Sequence, residues 1–473
     1  MRANPALPRG LRLARPRRPP VWPLLLGVIA AGVLLGAILS GASALALLGT
    51  LAALLAIGAA IYRPALGLGI LALTYPFDLT TQAGSFKVPT SYALLAILFV
   101  VWAGRQFFGD PPPLQRTSLD RAVAIFAGVT VLSVLGLTGD YSLQLAGQAK
   151  SAGGFLAFFL LTQSIRQRRD LWLVLGALLF SGLVEAALVA WPVITGAEPP
   201  SEVARASGTL SDPNILSGYL VLLMLTILGL GLAARRRWMM GLAGLSLLVF
   251  AVALVASLSR SGWLGFLVGV VALAVLLPER RKQVAGAAGA VAAAMVLLGL
   301  VGPIGLRLTN GLDTFTARWD IWGQALGVIA HHPVFGVGVM NFQSFLPLDD
   351  SGNTIPHAHN IFLNMAAERG LPGLAAFCFV VVMLFKILRA SARKVRERFD
   401  ATALERALPA ALTAAFIGYF VHSLLDVSYY DYKVVVLFWL MAGVAASLPL
   451  LFGPPDATQA SPRRQLTGVG ERR

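Results

Sequence analysis

The chain has 473 residues, of which 57% are hydrophobic and only 13% are charged, with a mean hydropathy of +0.75. A water-soluble protein of this length needs far more charged surface, so the composition excludes that class and indicates a membrane protein. The net charge of +16 is divided among short clusters between apolar runs, which argues against a nucleic-acid partner. The single cysteine, Cys378, excludes a disulfide framework and a cysteine-based metal site.

Long apolar runs recur along the chain, and many reach the roughly 20 residues that a helix needs to cross a bilayer. They predict an all-α polytopic protein with about 14 spans. The segment 65–80 is short and contains Pro76, so it is expected to be broken or re-entrant, and about 12 spans also fit. The predicted spans are 21–39, 43–61, 65–80, 89–104, 119–137, 148–165, 170–194, 213–233, 238–257, 262–277, 284–302, 370–390, 407–424 and 433–451.

The placement of Lys and Arg predicts the orientation, because cytoplasmic loops carry the excess of both. Clusters such as RQRR (166–169), RRR (235–237) and RASARKVRER (389–398) fall on one predicted side, together with both termini. That side is therefore predicted to be cytoplasmic. We expect the clusters to act as topology signals that also attract anionic lipid headgroups, with no nucleic-acid partner.

The opposite, outer side carries two long segments, 195–212 and 303–369. The spacing of apolar residues in 317–333 predicts an amphipathic helix that Pro333 ends, and a second short helix is predicted over 358–369. Three regions follow: an N-terminal transmembrane bundle (1–302), an outer loop with amphipathic helices (303–369), and C-terminal transmembrane helices with a cytoplasmic tail (370–473).

A few basic residues lie on the outer side in spite of the orientation rule. Arg260, in SLSRSG (257–262), stands at the junction of two spans, where a guanidinium needs an anionic partner or water. Its planar fork suits phosphate or carboxylate, although a snorkelling arginine or an ion pair with Glu185 or Asp212 fits the position as well. The outer basic residues are Lys87, Lys150, Arg205, Arg260, Arg307, Arg318, Arg369 and Lys433.

The motif HAHN (357–360) places two histidines and an asparagine where an outer helix is expected to begin. A neutral imidazole there can remove a proton from a sugar hydroxyl, while a zinc pair or a helix cap remains an alternative. His331 and His332 are interpreted as structural groups at a helix end. His422 and Asp426 are interpreted as a buried polar pair.

Four motifs in this order resemble the O-antigen ligase and polymerase superfamily: GTLSDPN (208–214), SLSRSG (257–262), ARWDIWGQALGVIAHHPVFGVGVMNF (317–342) and HAHNIFLNMAAERGLPGL (357–374). The resemblance implies a GT-C-like integral membrane glycosyltransferase with no cofactor and no metal. It implies a donor, an undecaprenyl diphosphate-linked O-antigen, and an acceptor, a sugar hydroxyl of the lipid A-core. The active site would face the periplasm from the bacterial inner membrane.

The resemblance also implies roles for individual residues. Arg260 and Arg318 would stabilise the diphosphate, and His359 would act as general base, with inversion at the anomeric carbon. The residues implied to bind substrate are Arg205, Lys150, His357, Asn360 and Asn214.

Relatives of different activity share this pattern. An O-antigen or exopolysaccharide polymerase and a protein O-oligosaccharyltransferase would use the same donor and differ in acceptor. A lipid-linked glycan flippase is a further alternative. Such a protein should carry several charged residues at mid-membrane depth, but here those residues are few, Glu185 and Asp426 being the main ones.

Overall fold

The computed structural model of the chain describes residues 54–55, 57–78, 80–83, 86–108, 112–136, 139–197, 205–300, 311–346 and 355–453. Nearly all of these residues are helical. The strands among them are Thr80–Ala83 (β1) and Phe86–Pro89 (β2), an antiparallel hairpin in which Thr80 pairs with Pro89. The predicted all-α fold class is therefore confirmed, with this hairpin as an addition.

The helices are joined mostly by short connections. In chain order they are α1 (Pro64–Thr74), α2 (Thr90–Phe108), α3 (Asp120–Leu132), α4 (Tyr141–Ser164), α5 (Arg168–Thr195), α6 (Pro213–Ala233), α7 (Arg237–Ala256), α8 (Arg260–Leu276), α9 (Arg281–Leu300), α10 (Gly311–His331), α11 (Ile361–Glu397), α12 (Ala403–Ser423) and α13 (Tyr432–Phe452).

Within the described residues, seven helices are long and apolar enough to cross a membrane, and the bent α8–α9 pair gives up to eight. The protein is therefore an integral membrane protein. Each predicted span from 65–80 onward coincides with a helix, and the predicted break near Pro76 is a 3-10 turn at Tyr75–Phe77. The predicted span 21–39 and most of 43–61 lie outside the described residues.

Helices α6 and α13 form the centre of the bundle, and 83% of the most apolar stretch of each helix is buried inside the protein. Both are apolar around their whole circumference, as expected of helices that neighbours enclose on every side. Helix α8 packs closely on α12, where Gly265 lies against the carbonyl of Gly418 and a Cβ would meet that oxygen at 2.5 Å. Small residues at such crossings let two backbones approach, which strengthens packing between helices in lipid.

The bundle has two ends. At the first, the segments 205–212, 257–260, 357–360 and 424–431 meet, and we call it the site end. At the second, the basic end, Arg168 pairs with Asp400 at 2.7 Å and Arg398 donates to the carbonyl of Gly453 at 3.1 Å. The 21 residues of α13 separate these ends by about 30 Å.

The connection between α10 and α11 fixes the site end. Helix α10 begins at Gly311, before the predicted position 317, and ends at His331. The turn that follows docks on α11 through hydrogen bonds from the amides of Val337 and Gly338 to the carbonyls of Ala367 and Glu368, at 2.9 and 3.0 Å.

The predicted helix over 358–369 begins at Ile361 and runs on into the span beyond it. Gly370 has non-helical angles, φ 71° and ψ 179°, and marks the break between the two parts. Only glycine adopts this conformation at low cost, which explains its place before the span.

Candidate functional site

Asp426 is the centre of a polar cluster at the site end. It lies three residues beyond the end of α12, its side chain is 1% exposed, and its Oδ1 accepts a hydrogen bond from the amide of Val427 at 2.8 Å. Its other oxygen, Oδ2, lies 3.4 Å from Nδ1 of His359 and 3.9 Å from Nη2 of Arg318. One buried carboxylate thus joins two residues predicted from the sequence to be catalytic.

Both partners of Asp426 remain partly open to the outside. The side chain of His359 is 25% exposed and that of Arg318 is 16% exposed. With Nδ1 of His359 facing the carboxylate, the Nε2 side of the ring is the side that can serve a substrate. The cluster therefore combines a buried anion with two reachable groups that accept protons or bind anions.

The backbone holds His359 in an uncommon conformation. Its φ is 48°, in the left-handed region that non-glycine residues seldom occupy. The next residue, Asn360, caps α11 by accepting hydrogen bonds from the amides of Phe362 and Leu363, and its Nδ2 donates to the carbonyl of Leu424 at 3.1 Å. Asn360 thus ties the turn of His359 to the loop of Asp426, which is a structural reason for its place in the motif.

His357 lies behind His359 and is buried. The two rings contact each other with centroids 4.6 Å apart, and the Tyr430 ring also packs against His357, with centroids 5.3 Å apart. Burial lowers the pKa of His357 to about 3, and the charge of His359 acts in the same direction. His357 is therefore a neutral group that supports the His359 ring.

Lys150 reaches this region from α4. Its Nζ donates to the carbonyl of Tyr430 at 2.8 Å and lies 4.4 Å from the centre of the Tyr430 ring. Its side chain is buried. Lys150 therefore contacts Tyr430, the residue that packs against His357, and does not reach the surface.

Burial and charge act against each other on the central carboxylate. Burial raises the pKa of Asp426, but the hydrogen bond from His359 and the charge interaction with that ring outweigh it, and the pKa is held below its usual range. Asp426 is therefore ionised at neutral pH. An anion fixed there can accept the Nδ1–H of His359 and orient the ring.

Arg205 and Asn214 form a second part of the site end. Arg205 donates from Nε to the carbonyl of Ser257 at 2.9 Å and from Nη2 to Oδ1 of Asn214 at 2.8 Å. Asp212 caps α6 beside them, and its pKa is raised by burial and then by the charge of Asp426. This repulsion between like charges shows that the second part lies close to the central cluster.

Arg260 is the first residue of α8. The chain reaches it through Leu258, which has a φ of 49°, and Ser259, whose hydroxyl caps the helix by accepting from the amide of Gly262. The Ser259 hydroxyl also accepts a hydrogen bond from Ser217 on α6 at 2.9 Å. These contacts place Arg260 at the site end, on the same turn whose carbonyl Arg205 binds.

Two other outer cations have structural partners. Arg369 pairs with Glu368 at 2.9 Å, both side chains being 3% exposed. Lys433 donates to the carbonyl of Thr209 at 2.5 Å. The side chain of Lys87 and all of Arg307 lie outside the described residues.

His422 and Asp426 are both buried, as interpreted from the sequence, but each has a different hydrogen-bond partner. The Nε2 of His422 lies 2.6 Å from the hydroxyl of Ser428, while Asp426 faces His359 and Arg318. A residue four positions after a histidine suggests a helical pair, but α12 ends at Ser423, so the helical spacing does not apply.

Three side chains of the cluster also have a spacing that a metal ion can use. One ligand atom each from His357, His359 and Asp426 lie within 4.8 Å of one another, and two imidazoles with a carboxylate are a common zinc set. The fixed charge of Arg318 at 3.9 Å from the same carboxylate opposes a second cation. A metal-independent site therefore stays a prediction, and the positive charge of Arg318 supports it.

Residues 245–378 match the family model of the O-antigen ligase family. The match contains Arg260, Arg318, His357 and His359 and ends before Asp426, and it confirms the resemblance over this part of the chain. Members of that family are ligases or polymerases that transfer glycans. A search of the curated proteins finds no match to the chain.

Proposed function

We propose that the protein is an O-antigen ligase that transfers a glycan from undecaprenyl diphosphate to a sugar hydroxyl of the lipid A-core. The observation that carries the proposal is the contact of His359 and Arg318 with one buried carboxylate, Asp426, at the site end of a membrane bundle. A base and an anion-binding group held beside each other are what glycosyl transfer from a diphosphate requires.

In the proposed reaction, Nε2 of His359 accepts the proton of the acceptor hydroxyl. The hydroxyl oxygen forms a bond to the anomeric carbon, and the bond from that carbon to the diphosphate oxygen breaks, with its electron pair leaving on the diphosphate. Direct displacement inverts the anomeric carbon. Asp426 accepts the Nδ1–H hydrogen bond, orients the ring and stabilises the imidazolium that forms.

The arginines stabilise the charge that grows on the leaving diphosphate. Arg318 and Arg260 carry out this role, because a guanidinium binds phosphate oxygens through two parallel hydrogen bonds. Arg205 and Asn214 are proposed to hold the turn that carries Arg260 and to meet the substrate at its edge. Lys150 and His357 are proposed to act through Tyr430 and the His359 ring, while Asn360 fixes the turn.

The orientation follows from the two ends. The basic end, with its clusters 166–169, 235–237 and 389–398, is proposed to be cytoplasmic, as are both termini. The site end then faces the periplasm of a bacterial inner membrane, where lipid-linked donor and lipid A-core meet. The donor reaches the cluster from the bilayer and brings its own activation, so no cofactor is needed.

The test is transfer in vitro by the purified full-length protein in the presence of EDTA. Undecaprenyl diphosphate-linked glycan and rough lipopolysaccharide are supplied, and a ladder of glycosylated lipopolysaccharide is the expected product. His359→Ala, Arg260→Ala and Arg318→Ala should each abolish the ladder, whereas His331→Ala should retain it, since His331 is an exposed histidine at the end of α10.

Other outcomes identify the alternatives. Longer glycan on the lipid carrier, with unchanged lipopolysaccharide, would make the protein a polymerase. Glycan on an added protein acceptor would make it an O-oligosaccharyltransferase. Wild-type transfer by all three alanine variants would overturn the catalytic assignment, and loss of transfer with EDTA that Zn²⁺ restores would overturn the metal-independent reaction.

A further inference from the structure

A cavity of about 470 Å³ opens at the basic end, on the opposite side of the bundle from the site. It lies between residues 62–64 before and at the start of α1, the last turns of α2, and the connection 163–170 between α4 and α5. Its volume suits a small polar headgroup, since ligand pockets commonly measure about 300–1,000 Å³. None of its lining residues belongs to the cluster around Asp426.

The cavity is strongly basic. Arg63, Arg105, Arg166 and Arg169 line it together with one acid, Asp170, which leaves a net charge of +3 (four minus one). Asp170 is already engaged, because it accepts a hydrogen bond from Nε of Arg63 at 2.6 Å and others from the amides of residues 166 and 167. It therefore neutralises little of the remaining charge.

Two of the arginines bind neutral acceptors. Nη1 of Arg105 donates to the carbonyls of Ala60 and Ile61 at 3.3 Å each. Nη1 of Arg166 donates to the carbonyl of Pro113 at 2.9 Å. Burial lowers the pKa of Arg166, and the positive charge of Arg105 acts in the same direction. An anion between them would relieve this repulsion.

An apolar recess of about 10 Å³ adjoins the cavity between α1, α2 and α4, and it is too small to hold an acyl chain. The surface beside the cavity is also apolar, because Tyr62, which lines the cavity, and Phe107 and Phe108, which follow its lining residue Gln106, are exposed. A basic space beside an exposed apolar surface of a membrane protein matches a ligand with a charged head and hydrocarbon tails that stay in the bilayer.

We propose that this basic pocket binds the phosphate of an anionic phospholipid from the surrounding membrane, with the acyl chains in the bilayer beside the exposed aromatic side chains. Arginine is suited to the phosphodiester because its fork offers two hydrogen bonds to phosphate oxygens. Basic pockets between membrane helices on the cytoplasmic side are a known way of holding anionic headgroups. The proposal concerns the basic end and is independent of the reaction at the site end.

The test is native mass spectrometry of the full-length protein in detergent, titrated with phosphatidylglycerol and, in parallel, with zwitterionic phosphatidylcholine. The wild type should bind phosphatidylglycerol at least about tenfold more tightly, since several basic residues near one headgroup together favour the anionic lipid. Arg166→Gln/Arg169→Gln should lose that preference. The exposed pair Arg235→Gln/Arg236→Gln, at the same end and outside the cavity, removes the same charge and should retain it.

Three results would overturn the proposal: equal binding of the two lipids by the wild type, equal losses in the pocket and control variants, or displacement of phosphatidylglycerol by millimolar inorganic phosphate. The last result would assign the pocket to a soluble anion. Arg169→Gln alone, at an exposed position, serves if the double variant does not fold, and it should weaken phosphatidylglycerol binding measurably.

Discussion

Replacing Asp426 with Asn tests the central contact of the site with almost no change of shape. The variant removes the negative charge that lies 3.4 Å from Nδ1 of His359. Two unit charges at this distance interact by about 5 kcal/mol at an effective dielectric constant of about 20, and by about half of that when solvent contributes more. His359 is 25% exposed, so the smaller value, about 2 kcal/mol, is the better guide.

That energy is gained chiefly in the transition state, because the imidazolium forms only as the acceptor proton moves. We therefore expect kcat to fall about 30-fold in Asp426→Asn, since each 1.36 kcal/mol corresponds to about a factor of ten. KM for the lipid-linked donor should change much less. The assay is the initial rate of glycan transfer to rough lipopolysaccharide at several donor concentrations.

The matched control is Asp320→Asn, which makes the same chemical change at an exposed position on α10 and should leave the rate unchanged. The double variant Asp426→Asn/His359→Ala should be no slower than His359→Ala, because the two residues act as a unit. If Asp426→Asn stays within about twofold of the wild type, the carboxylate does not assist His359 and the reasoning fails.

Two further predictions concern stability. Burial lowers the pKa of His357 to about 3 in the folded protein, while in the unfolded chain this histidine takes up its proton near pH 6.5. Between these two pH values the unfolded state binds more protons than the folded state. The free energy of unfolding therefore decreases as the pH falls below about 6.5, by about 2 kcal/mol at pH 5. The melting temperature of His357→Gln in detergent should consequently depend less on pH between 7.5 and 5 than that of the wild type, and parallel curves would contradict this. Gly370→Ala should lower the melting temperature, because Gly370 has a φ of 71° and a Cβ there would collide with the carbonyl of Val334, a strain of roughly 1–3 kcal/mol or more. Gly327→Ala on α10, which meets no atom within 4 Å, should be neutral or stabilising by up to about 1 kcal/mol, and equal losses in both glycine variants would refute the argument.

The features that the sequence predicted correctly are those that local physics determines. Apolar runs of sufficient length became helices, and the break near Pro76 appeared where a proline removes a helical hydrogen bond. Asn360 was expected at the beginning of a helix, and it caps α11 with its side chain. In each case the deciding interaction lies within a few residues of the one that was named.

The pairings at the site could not be predicted in this way, because they join residues that are distant in the chain. His359 and Asp426 are 67 positions apart, and no periodicity links them. The nearest histidine in sequence, His422, suggested the wrong partner for the carboxylate, since helical spacing was assumed beyond the end of α12 at Ser423. The sequence did contain a signal for this contact. Asp426 is an acid just beyond the predicted span 407–424 on the outer side, the same side as the arginines that were expected to bind anions.

The loop 424–431 explains why residues from so many segments meet. Through Asp426 it contacts α10 and the HAHN turn, and the carbonyl of Leu424 accepts from Asn360. Through Ser428 and Asp431 it reaches the 205–214 segment, at 3.4 Å to the carbonyl of Asn214 and 2.7 Å to the hydroxyl of Ser211. The family match ends at residue 378, so the groups that would perform the chemistry lie within it, while the loop that assembles them lies outside. The packing of α12 and α13, which sets the position of this loop, is therefore as much a condition for the proposed activity as the motifs themselves.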